Sequence, residues 1–252
     1  MPKILITGCS SGFGLATARL FLSEGWEVIA TVRSPRPGVL PDHERLSVIA
    51  LDVSDADSIA AAVESVGTID ALVNNAGVGM LNVLEGSGMD QVRELFDTNV
   101  LGPIAMAKAF LPGMRKQGSG VIVNVSSVVT VKPLPALSVY SASKAALNAF
   151  TESLALEAAQ FGVRTRLVLP GAAPTTDFGK NAVARMGMAV PEIYQPFVQE
   201  QLQKLQSSTD VTTAEDVARA VWTAVTESDA PMRIPAGADA VTAFRAAGLK
   251  AA

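Results

Sequence analysis

Short apolar runs rich in β-branched residues alternate along the chain with longer segments whose apolar positions recur at helical spacing. The run Val121-Ile122-Val123 is apolar at consecutive positions, which is typical of a strand buried on both faces of a sheet. The pattern therefore predicts an α/β fold, a doubly wound parallel sheet with helices on both faces. Strands are predicted at residues 3–7, 27–32, 46–50, 71–74, 120–125 and 164–169, with a short seventh near 232–235. Helices are predicted at residues 12–24, 55–66, 90–114, 138–161 and 214–226.

Two stretches of the chain are irregular. Residues 35–41 hold three prolines and one glycine, which predicts a loop after the second strand. Residues 171–210 interrupt the alternation after the sixth strand, with a helix predicted through 194–205. Open α/β sheets bind ligands beyond the carboxyl ends of their strands, so this stretch is predicted to be a substrate-binding segment. Because no linker divides the chain, residues 1–252 are predicted to form a single domain.

Composition narrows the classes of function. Hydrophobic residues make up 49% of the chain and charged residues 17%, which is enough apolar side chain for a large core. The net charge of -4 predicts no basic surface for nucleic acid. A single cysteine excludes an internal disulfide, and with a single histidine it leaves too few ligands for a zinc site, so no metal is predicted. Without a secretory leader or an apolar run of about 20 residues, a cytoplasmic protein with no membrane partner is expected.

The first predicted strand leads into the glycine-rich sequence T-G-C-S-S-G-F-G at residues 7–14, which opens the first helix. Glycine lets the backbone approach a phosphate closely, and a helix N-terminus offers unpaired N–H groups to a pyrophosphate. The spacing G-x-x-x-G-x-G differs from the general dinucleotide pattern G-x-G-x-x-G, so an ordinary glycine-rich turn is the alternative. The candidate cofactor-binding residues here are Gly8, Ser10, Ser11, Gly12, Phe13 and Gly14.

The end of the second strand indicates which dinucleotide binds. An NAD-binding protein places an acidic residue there for the ribose hydroxyls, whereas this chain has Arg33 directly after the strand. A guanidinium attracts the 2′-phosphate of NADP and offers it a planar pair of donors, to which Ser10, Ser11 and Arg36 can add. NADP(H) is therefore predicted as the cofactor. The alternative is that Arg33 is a solvated loop charge.

Two further strand ends carry residues suited to a dinucleotide. Asp52 and Val53 follow the third strand, where a carboxylate can accept from the adenine amino group and a valine can pack on the ring. Asn75, Ala76 and Gly77 follow the fourth strand, where small residues let the chain pass a ribose and an asparagine can tie strand ends together. Their placement at successive strand ends makes all five candidate cofactor contacts, although each pair alone is more typical of a plain turn.

A candidate catalytic set lies around the fifth strand. Ser127 follows that strand, and Tyr140 and Lys144 stand in the string Y-S-A-S-K at residues 140–144. Residues four apart lie on one face of a helix, so Tyr140 and Lys144 can line one cleft. A phenol with a pKa of about 10 is a poor base at neutral pH, and a nearby ammonium is expected to lower that pKa. The set predicts general acid/base chemistry on a substrate oxygen held by Ser127.

In this order, the motifs resemble the short-chain dehydrogenase/reductase family, in its NADP(H)-dependent single-domain branch with a Rossmann-type sheet. The glycine-rich turn is most similar to that of hydroxysteroid- and retinol-dehydrogenase-like members, and the resemblance covers residues 3–225. It implies that NADP(H) carries a hydride between an alcohol and a ketone or aldehyde. It also implies a homodimer or homotetramer that pairs through the helices predicted at 90–114 and 138–161.

The resemblance assigns roles by position. It implies that Tyr140 is the general acid/base, that Lys144 lowers its pKa and binds the nicotinamide ribose, and that Ser127 polarises the carbonyl. Asn99 matches a fourth catalytic residue, which holds a water in a proton relay with the lysine; the alternative is a helix asparagine that only bonds to backbone. The residues that match the motif contacting the nicotinamide are Pro170, Gly171, Ala173 and Thr175.

An apolar substrate pocket is predicted, which favours a lipophilic or bulky carbonyl compound. Filling of the core is the alternative for each of its residues. The candidates are Met80, Leu81, Val128, Leu134, Leu137, Phe178, Met186 and Met188.

Three other functions fit parts of the pattern. A non-catalytic NADP-binding redox sensor would not need Ser127, Tyr140 and Lys144 together. A sugar-nucleotide epimerase or dehydratase on the same fold would need a larger C-terminal substrate region than the residues after Pro170 provide. An enoyl reductase is expected to have a wider gap between its tyrosine and its lysine.

Overall fold

The computed structural model describes residues 1–36, 38–174, 176, 190–206 and 211–249. Its strands are β1 (Lys3–Ile6), β2 (Glu27–Val32), β3 (Leu46–Ala50), β4 (Ala71–Asn74), β5 (Gly120–Val125), β6 (Val163–Pro170) and β7 (Arg233–Ala236). They form one seven-stranded sheet in the order β3-β2-β1-β4-β5-β6-β7, and every neighbouring pair is parallel. The predicted doubly wound parallel sheet is confirmed.

Helices cover both faces of this sheet. They are α1 (Gly12–Ser23), α2 (Ala56–Val66), α3 (Met89–Phe96), α4 (Gly102–Gln117), α5 (Ser138–Ala158), α6 (Gln195–Gln206), α7 (Ala214–Thr226) and α8 (Ala238–Ala246). Side chains of β1 alternate between two cores: Ile6 packs with α1 and α7, whereas Leu5 packs with α2, α4 and α5. Both faces of the strand are therefore buried, which explains its continuous apolar run.

The helix predicted over residues 90–114 is present as one continuous helical run, but its winding changes in the middle. The structure has α3, then a π-helical turn at Asp97–Leu101, then α4. Pro103 has no N–H and so cannot donate to the carbonyl of Asn99, four residues earlier. The hydrogen-bond ladder widens at this point, which is typical of a π-type insertion in an α-helix. The pattern also does not predict α8, which begins directly after Gly237.

The strand order places a crevice at the centre of the sheet. The first three strands run outward from β1 in the order β1, β2, β3, and β4 then pairs with the other side of β1. The strand order therefore reverses beside β1. Ligands bind at such a switch point, beyond the carboxyl ends of the strands. The turn after β1 and the residues after β4 and β5 meet at this edge.

A buried chain of hydrogen bonds ties the centre of the sheet to α5. Asn74 Nδ2 donates to Oδ1 of Asn124 (2.8 Å), and Asn124 Nδ2 donates to Oγ1 of Thr151 (2.7 Å). Thr151 Oγ1 donates in turn to the carbonyl of Leu147 (2.7 Å). Asn124 and Thr151 have no exposed surface. Loss of one member would leave its neighbours unpaired where water cannot replace it.

We expect Asn124→Leu to lower the free energy of unfolding by about 3 kcal/mol, because Asn74 Nδ2 loses its shorter hydrogen bond and Thr151 Oγ1 loses its donor. Urea unfolding followed by circular dichroism measures the change. The control is Gln160→Ala, which removes an exposed amide bonded to the carbonyl of Glu157 and should change stability by less than about 0.5 kcal/mol. Equal effects of the two substitutions would contradict the structural role of the chain.

Candidate active site

The turn between β1 and α1 is built around two glycines. Gly8 has a φ of +76°, in the left-handed region that favours glycine. A Cβ at Gly14 would overlap the carbonyl of Gly8. Gly14 therefore packs directly against the backbone of the turn. The sequence predicts a cofactor contact at this position, whereas the structure shows a packing role.

The N-terminus of α1 borders the cleft at the centre of the sheet. The side chain of its N-cap residue, Ser11, makes no capping hydrogen bond. The first turn of α1, all of whose residues the structure describes, holds no acidic residue. Ser10, Ser11 and Gly12 line the cleft. A helix start with these properties fits a phosphate or pyrophosphate, because its backbone N–H groups and dipole favour negative charge.

Asn75 ties the ends of β1 and β4 together. Its Nδ2 donates to the carbonyls of Thr7 (2.8 Å) and Gly8 (3.2 Å). Thr7 Oγ1 accepts in return from the backbone N–H groups of Asn75 (3.0 Å) and Ala76 (2.9 Å). These bonds fix the phosphate turn against the next strand end, which is the tie that an asparagine at this place was expected to make.

Most of the candidate cofactor and catalytic residues line one cleft of about 730 Å³. They are Gly8, Ser10, Ser11, Gly12, Phe13, Arg33, Asp52, Val53, Asn75, Ala76, Gly77, Ser127, Tyr140, Lys144, Pro170, Gly171 and Ala173. Gly14 and Asn99 lie behind its surface, and Thr175 falls outside the described residues.

Arg33 and Asp52 stand at the β2 and β3 end of the cleft. Hydrogen bonds from the Ser54 side chain and backbone hold the pKa of Asp52 below its usual range, and the nearby Arg33 guanidinium lowers it further. Arg33 is exposed and also borders an adjoining hollow of about 1390 Å³, together with Arg36. This end of the cleft and the adjoining hollow therefore carry two guanidinium groups, of Arg33 and Arg36, and two carboxylates, of Asp42 and Asp52.

The candidate catalytic residues line the cleft where the carboxyl end of β5 meets the first turns of α5. Tyr140 and Lys144 lie one helical turn apart on α5 and are 6% and 5% exposed. Lys144 Nζ lies 5.9 Å from the centroid of the Tyr140 ring and donates to the carbonyl of Val125 (2.9 Å). The side chain of Ser127 shares a hydrogen bond with the Tyr140 phenol. Serine, phenol and ammonium thus meet at one point.

Burial favours the uncharged forms of both Tyr140 and Lys144. Desolvation raises the pKa of Tyr140 well above its ordinary value, and the hydrogen bond with Ser127 offsets only part of that rise. Desolvation lowers the pKa of Lys144 to about 8. The expected lowering of the Tyr140 pKa is therefore not found in this structure, because loss of hydration outweighs the hydrogen bond with Ser127 that lowers it. Tyr140 is a protonated phenol at neutral pH.

Asn99 lies in the π-helical turn with its side chain fully buried. Its Oδ1 accepts from the N–H of Val78 (2.9 Å), and its Nδ2 donates to the carbonyl of Val78 (2.9 Å) and to Ser143 Oγ (3.2 Å). A Cβ on Gly77 would lie near both Asn99 Oδ1 and Lys144 Nζ. The amide thus braces the chain after β4 against α5, close to the lysine.

A second buried network supports Ser127, and the sequence does not single it out. Ser126 Oγ donates to Oδ1 of Asn148 (2.6 Å), and Asn148 Nδ2 donates to Thr130 Oγ1 (3.0 Å). Thr130 Oγ1 donates back to the carbonyl of Ser127 (2.9 Å). Asn148 lies four residues after Lys144, on the same face of α5. That spacing was the available signal for its place beside the site.

The predicted substrate pocket is supported only in part by what is described. Phe178, Met186 and Met188 fall outside the described residues. Met80 and Leu81 are 3% and 5% exposed, which places them in the core. Leu134 and Leu137 are half-buried and pack with Met80 and Tyr140 in one apolar cluster. The remaining candidate, Val128, is half-buried beside Ser127.

Two further findings concern metal sites and membrane-spanning helices. Among the described residues, no group of three or more His, Cys, Asp or Glu side chains could hold a metal ion. Within the same part of the chain, no helix is both long and apolar enough to cross a membrane.

Known proteins resemble a large part of this chain. A family model described as short chain dehydrogenase matches residues 2–187. Human retinol dehydrogenase 8 is 37% identical over 197 residues, which are 74% of this chain and 63% of that protein. The 3-ketodihydrosphingosine reductase of Bacteroides thetaiotaomicron is 40% identical over 172 residues, or 67% of this chain and 62% of its own. Human 17-beta-hydroxysteroid dehydrogenase type 1 is 42% identical over 179 residues, or 66% and 55%. The chain therefore spans less than two thirds of each of these relatives.

Solved structures agree over nearly the whole chain. A short-chain dehydrogenase from Streptomyces avermitilis has a TM-score of 0.81 and 33% identity, over 97% of this chain and 91% of that one. A Burkholderia cenocepacia short chain dehydrogenase in complex with NADP has a TM-score of 0.78 and 26% identity, over 98% and 92%. A Burkholderia phymatum relative in complex with NAD has a TM-score of 0.80 and 28% identity, over 97% and 90%. Structural neighbours thus bind either dinucleotide.

The family match contains both the phosphate turn and the point where Ser127, Tyr140 and Lys144 meet. It spans well over half of the chain, and the solved relatives share the parallel sheet that brings these residues together. This chain belongs to the short-chain dehydrogenase/reductase family of oxidoreductases.

Proposed function

We propose that this protein is an NADP(H)-dependent oxidoreductase that interconverts a ketone or aldehyde and an alcohol. The observation that carries the proposal is the buried contact of Ser127 with Tyr140, beside the Lys144 ammonium, in a cleft whose other end is the phosphate turn. A non-catalytic dinucleotide sensor would have no use for this arrangement. The relatives named above are dehydrogenases and a reductase, which supports the same class of reaction.

The residues of the cleft fit a dinucleotide. The uncapped start of α1 offers N–H groups to the pyrophosphate, and Gly8 and Gly12 line the cleft beside it. Lys144 can donate to ribose hydroxyls, because an ammonium has three hydrogens and only one is directed at Val125. When bound, the cofactor supplies or accepts the hydride.

The choice of NADP(H) rests on charge at the end of β2. Arg33 and Arg36 border the hollow that adjoins the cleft, where a 2′-phosphate on the adenosine would lie. No acidic residue ends β2. Asp42 and Asp52 also border this hollow, but Asp52 Oδ1 already accepts from the Ser54 N–H (2.9 Å) and Oγ (2.6 Å). The preference for the phosphate therefore rests on Arg33, which directly follows β2, with Arg36 beside it.

In the direction of reduction, Ser127 and Tyr140 hold the carbonyl oxygen, where negative charge develops. Tyr140 donates its proton to that oxygen, which its raised pKa permits because the phenol is protonated at neutral pH. Lys144 is an ammonium below about pH 8 and stabilises the phenolate that remains. Oxidation of an alcohol reverses the same proton transfer.

The substrate that we propose is a lipophilic or bulky carbonyl compound. Leu134 and Leu137 form a half-buried apolar cluster next to Tyr140, so an apolar body beside the reacting carbonyl would find matching surface. The names of the relatives refer to retinol, a steroid and a sphingoid base.

We also propose that the protein is a homo-oligomer, with α4 and α5 at the contact. Leu101, directly before α4, is 56% exposed, and Leu156, on α5, is 83% exposed. Apolar side chains of this size on exposed helix faces are suited to a two-fold interface.

We expect Tyr140→Phe to lower kcat by about a thousandfold, because phenylalanine keeps the ring and removes the proton donor. Its Kd for NADPH should change by less than about threefold, since the hydroxyl is a small part of the binding surface. Loss of NADPH absorbance with a panel of ketones gives kcat, and NADPH fluorescence gives Kd. Retained turnover would refute the acid/base role.

For Arg33→Ala we expect the KM for NADPH to rise by about tenfold or more, because one charged hydrogen-bond partner of the 2′-phosphate is lost. The KM for NADH should change by less than about twofold. The matched control is Arg93→Ala on α3, where the guanidinium pairs with Asp90 at the surface (2.7 Å). If the KM values for NADPH and NADH rise equally, Arg33 does not select the phosphate.

Lys144→Met should reduce kcat by about a hundredfold and weaken cofactor binding, because the ammonium is lost and the shape is retained. Its stability should depend on pH in a defined way. In the folded protein the pKa of Lys144 is lowered from 10.5 to about 8. The unfolded chain therefore binds more protons between these values, so wild type gains stability as pH rises through this window.

The thermal midpoint of Lys144→Met relative to wild type should thus be most favourable near neutral pH and should decline toward about pH 10. Comparison of both proteins at each pH cancels the other titrating groups. A difference in midpoint that does not change with pH would show that Lys144 is not a desolvated ammonium.

A further inference from the structure

The loop that leaves β6 is held by two residues far along the chain, Thr212 and Asp239, which we call the C-terminal clamp. Gly171 N donates to Thr212 Oγ1 (2.9 Å), and Thr212 N donates to the carbonyl of Ala172 (2.7 Å). Ala172 N donates to Asp239 Oδ2 (2.6 Å). Thr212 Oγ1 lies 2.8 Å from both Asp239 Oδ1 and the carbonyl oxygen of Ala236, two acceptors for its one hydrogen. Three backbone groups of two consecutive loop residues therefore end on the clamp.

Two glycines make room for the clamp. A Cβ on Gly171 would overlap the carboxylate of Asp239. Gly237 has a φ of +98°, and a Cβ there would overlap Thr212. Gly171 is thus a glycine because the carboxylate packs against it, whatever it also contributes to a ligand.

The clamp is rigidly placed. Thr212 has no exposed surface, and Asp239 lies in the first turn of α8, where the helix dipole favours a carboxylate. Charge-assisted bonds from a carboxylate to a backbone N–H are among the stronger hydrogen bonds in proteins. The position of α8 is therefore transmitted directly to the backbone of the loop.

The loop forms one wall of the active-site cleft. Pro170, Gly171 and Ala173 line it together with Tyr140 and Lys144, at the end opposite to Arg33. A shift of this wall would change the space beside the phenol and the ammonium, and would leave the phosphate turn and β2 in place.

We infer that Thr212 and Asp239 are positioning residues, which hold the Gly171–Ala172 backbone against the nicotinamide end of the cleft and so set the affinity for that end of the cofactor. The inference rests on the proposed function. It gives α8 and the chain after α6 a part in the active site, although neither residue of the clamp lines the cleft.

The test separates the two ends of the cofactor. We use NADPH and ADP-ribose 2′-phosphate, which lacks the nicotinamide ring, and measure both Kd values by isothermal titration calorimetry. Thr212→Val keeps the shape and removes the hydroxyl, so it should weaken NADPH by about tenfold and ADP-ribose 2′-phosphate by less than about twofold. Thr212→Ser keeps the hydroxyl and should stay within about twofold of wild type for both ligands.

Asp239→Asn provides an independent variant, because it removes the charge that strengthens the hydrogen bond from Ala172 N and leaves one acceptor oxygen in place of two. It should show the same selective loss for NADPH, with a thermal midpoint by circular dichroism that shows a folded protein. An equal loss for both ligands, or no loss for either, would overturn the inference. Wild-type protein that binds neither ligand would instead overturn the proposed function itself, before any variant is compared.

Discussion

The active site depends on an ammonium group that is buried with no carboxylate paired to it among the residues that the structure describes. Lys144 has the carbonyl of Val125 as a hydrogen-bond partner and lies near the ring of Tyr140. A charge in such a place is costly, and the lowered pKa of Lys144 expresses that cost. The surrounding networks through Asn99 and Asn148 hold the neighbouring backbone, so the lysine keeps its place. The charge beside the phenol therefore lowers the stability of the fold, which is a common cost of an active site.

The same burial acts on Tyr140 in the opposite sense. Its pKa is raised, so the phenol is in the protonated form that a reduction requires. Ionisation has to be supported by charges that arrive with ligands or develop in the reaction. The spacing of tyrosine and lysine alone predicts that the ammonium lowers the pKa of the phenol. Both groups also lose hydration on burial, and the spacing does not reveal that loss.

The arrangement of the sheet could be predicted because each buried strand needs apolar residues on both faces, as Ile4, Leu5 and Ile6 show. Helix geometry likewise sufficed to bring Tyr140 and Lys144 to one face of α5. The π-helical turn at Asp97–Leu101 was less accessible, because its signal is a single proline within an otherwise helical pattern. Residues that support the site from a distance, such as Thr212 and Asp239, depend on tertiary contacts that no local spacing reveals. The substrate wall stays a prediction where it involves residues 177–189.

Both tryptophans of the chain, Trp26 and Trp222, pack around Phe21 in the layer formed by α1 and α7. Their ring centroids lie 5.1 Å and 5.0 Å from that of Phe21. The opposite layer, with α4 and α5, contains no tryptophan. Intrinsic emission therefore reports the solvent exposure of one face of the sheet. A species in which α4 and α5 had loosened while α1 and α7 stayed docked would keep a native emission maximum and yet lack an assembled active site.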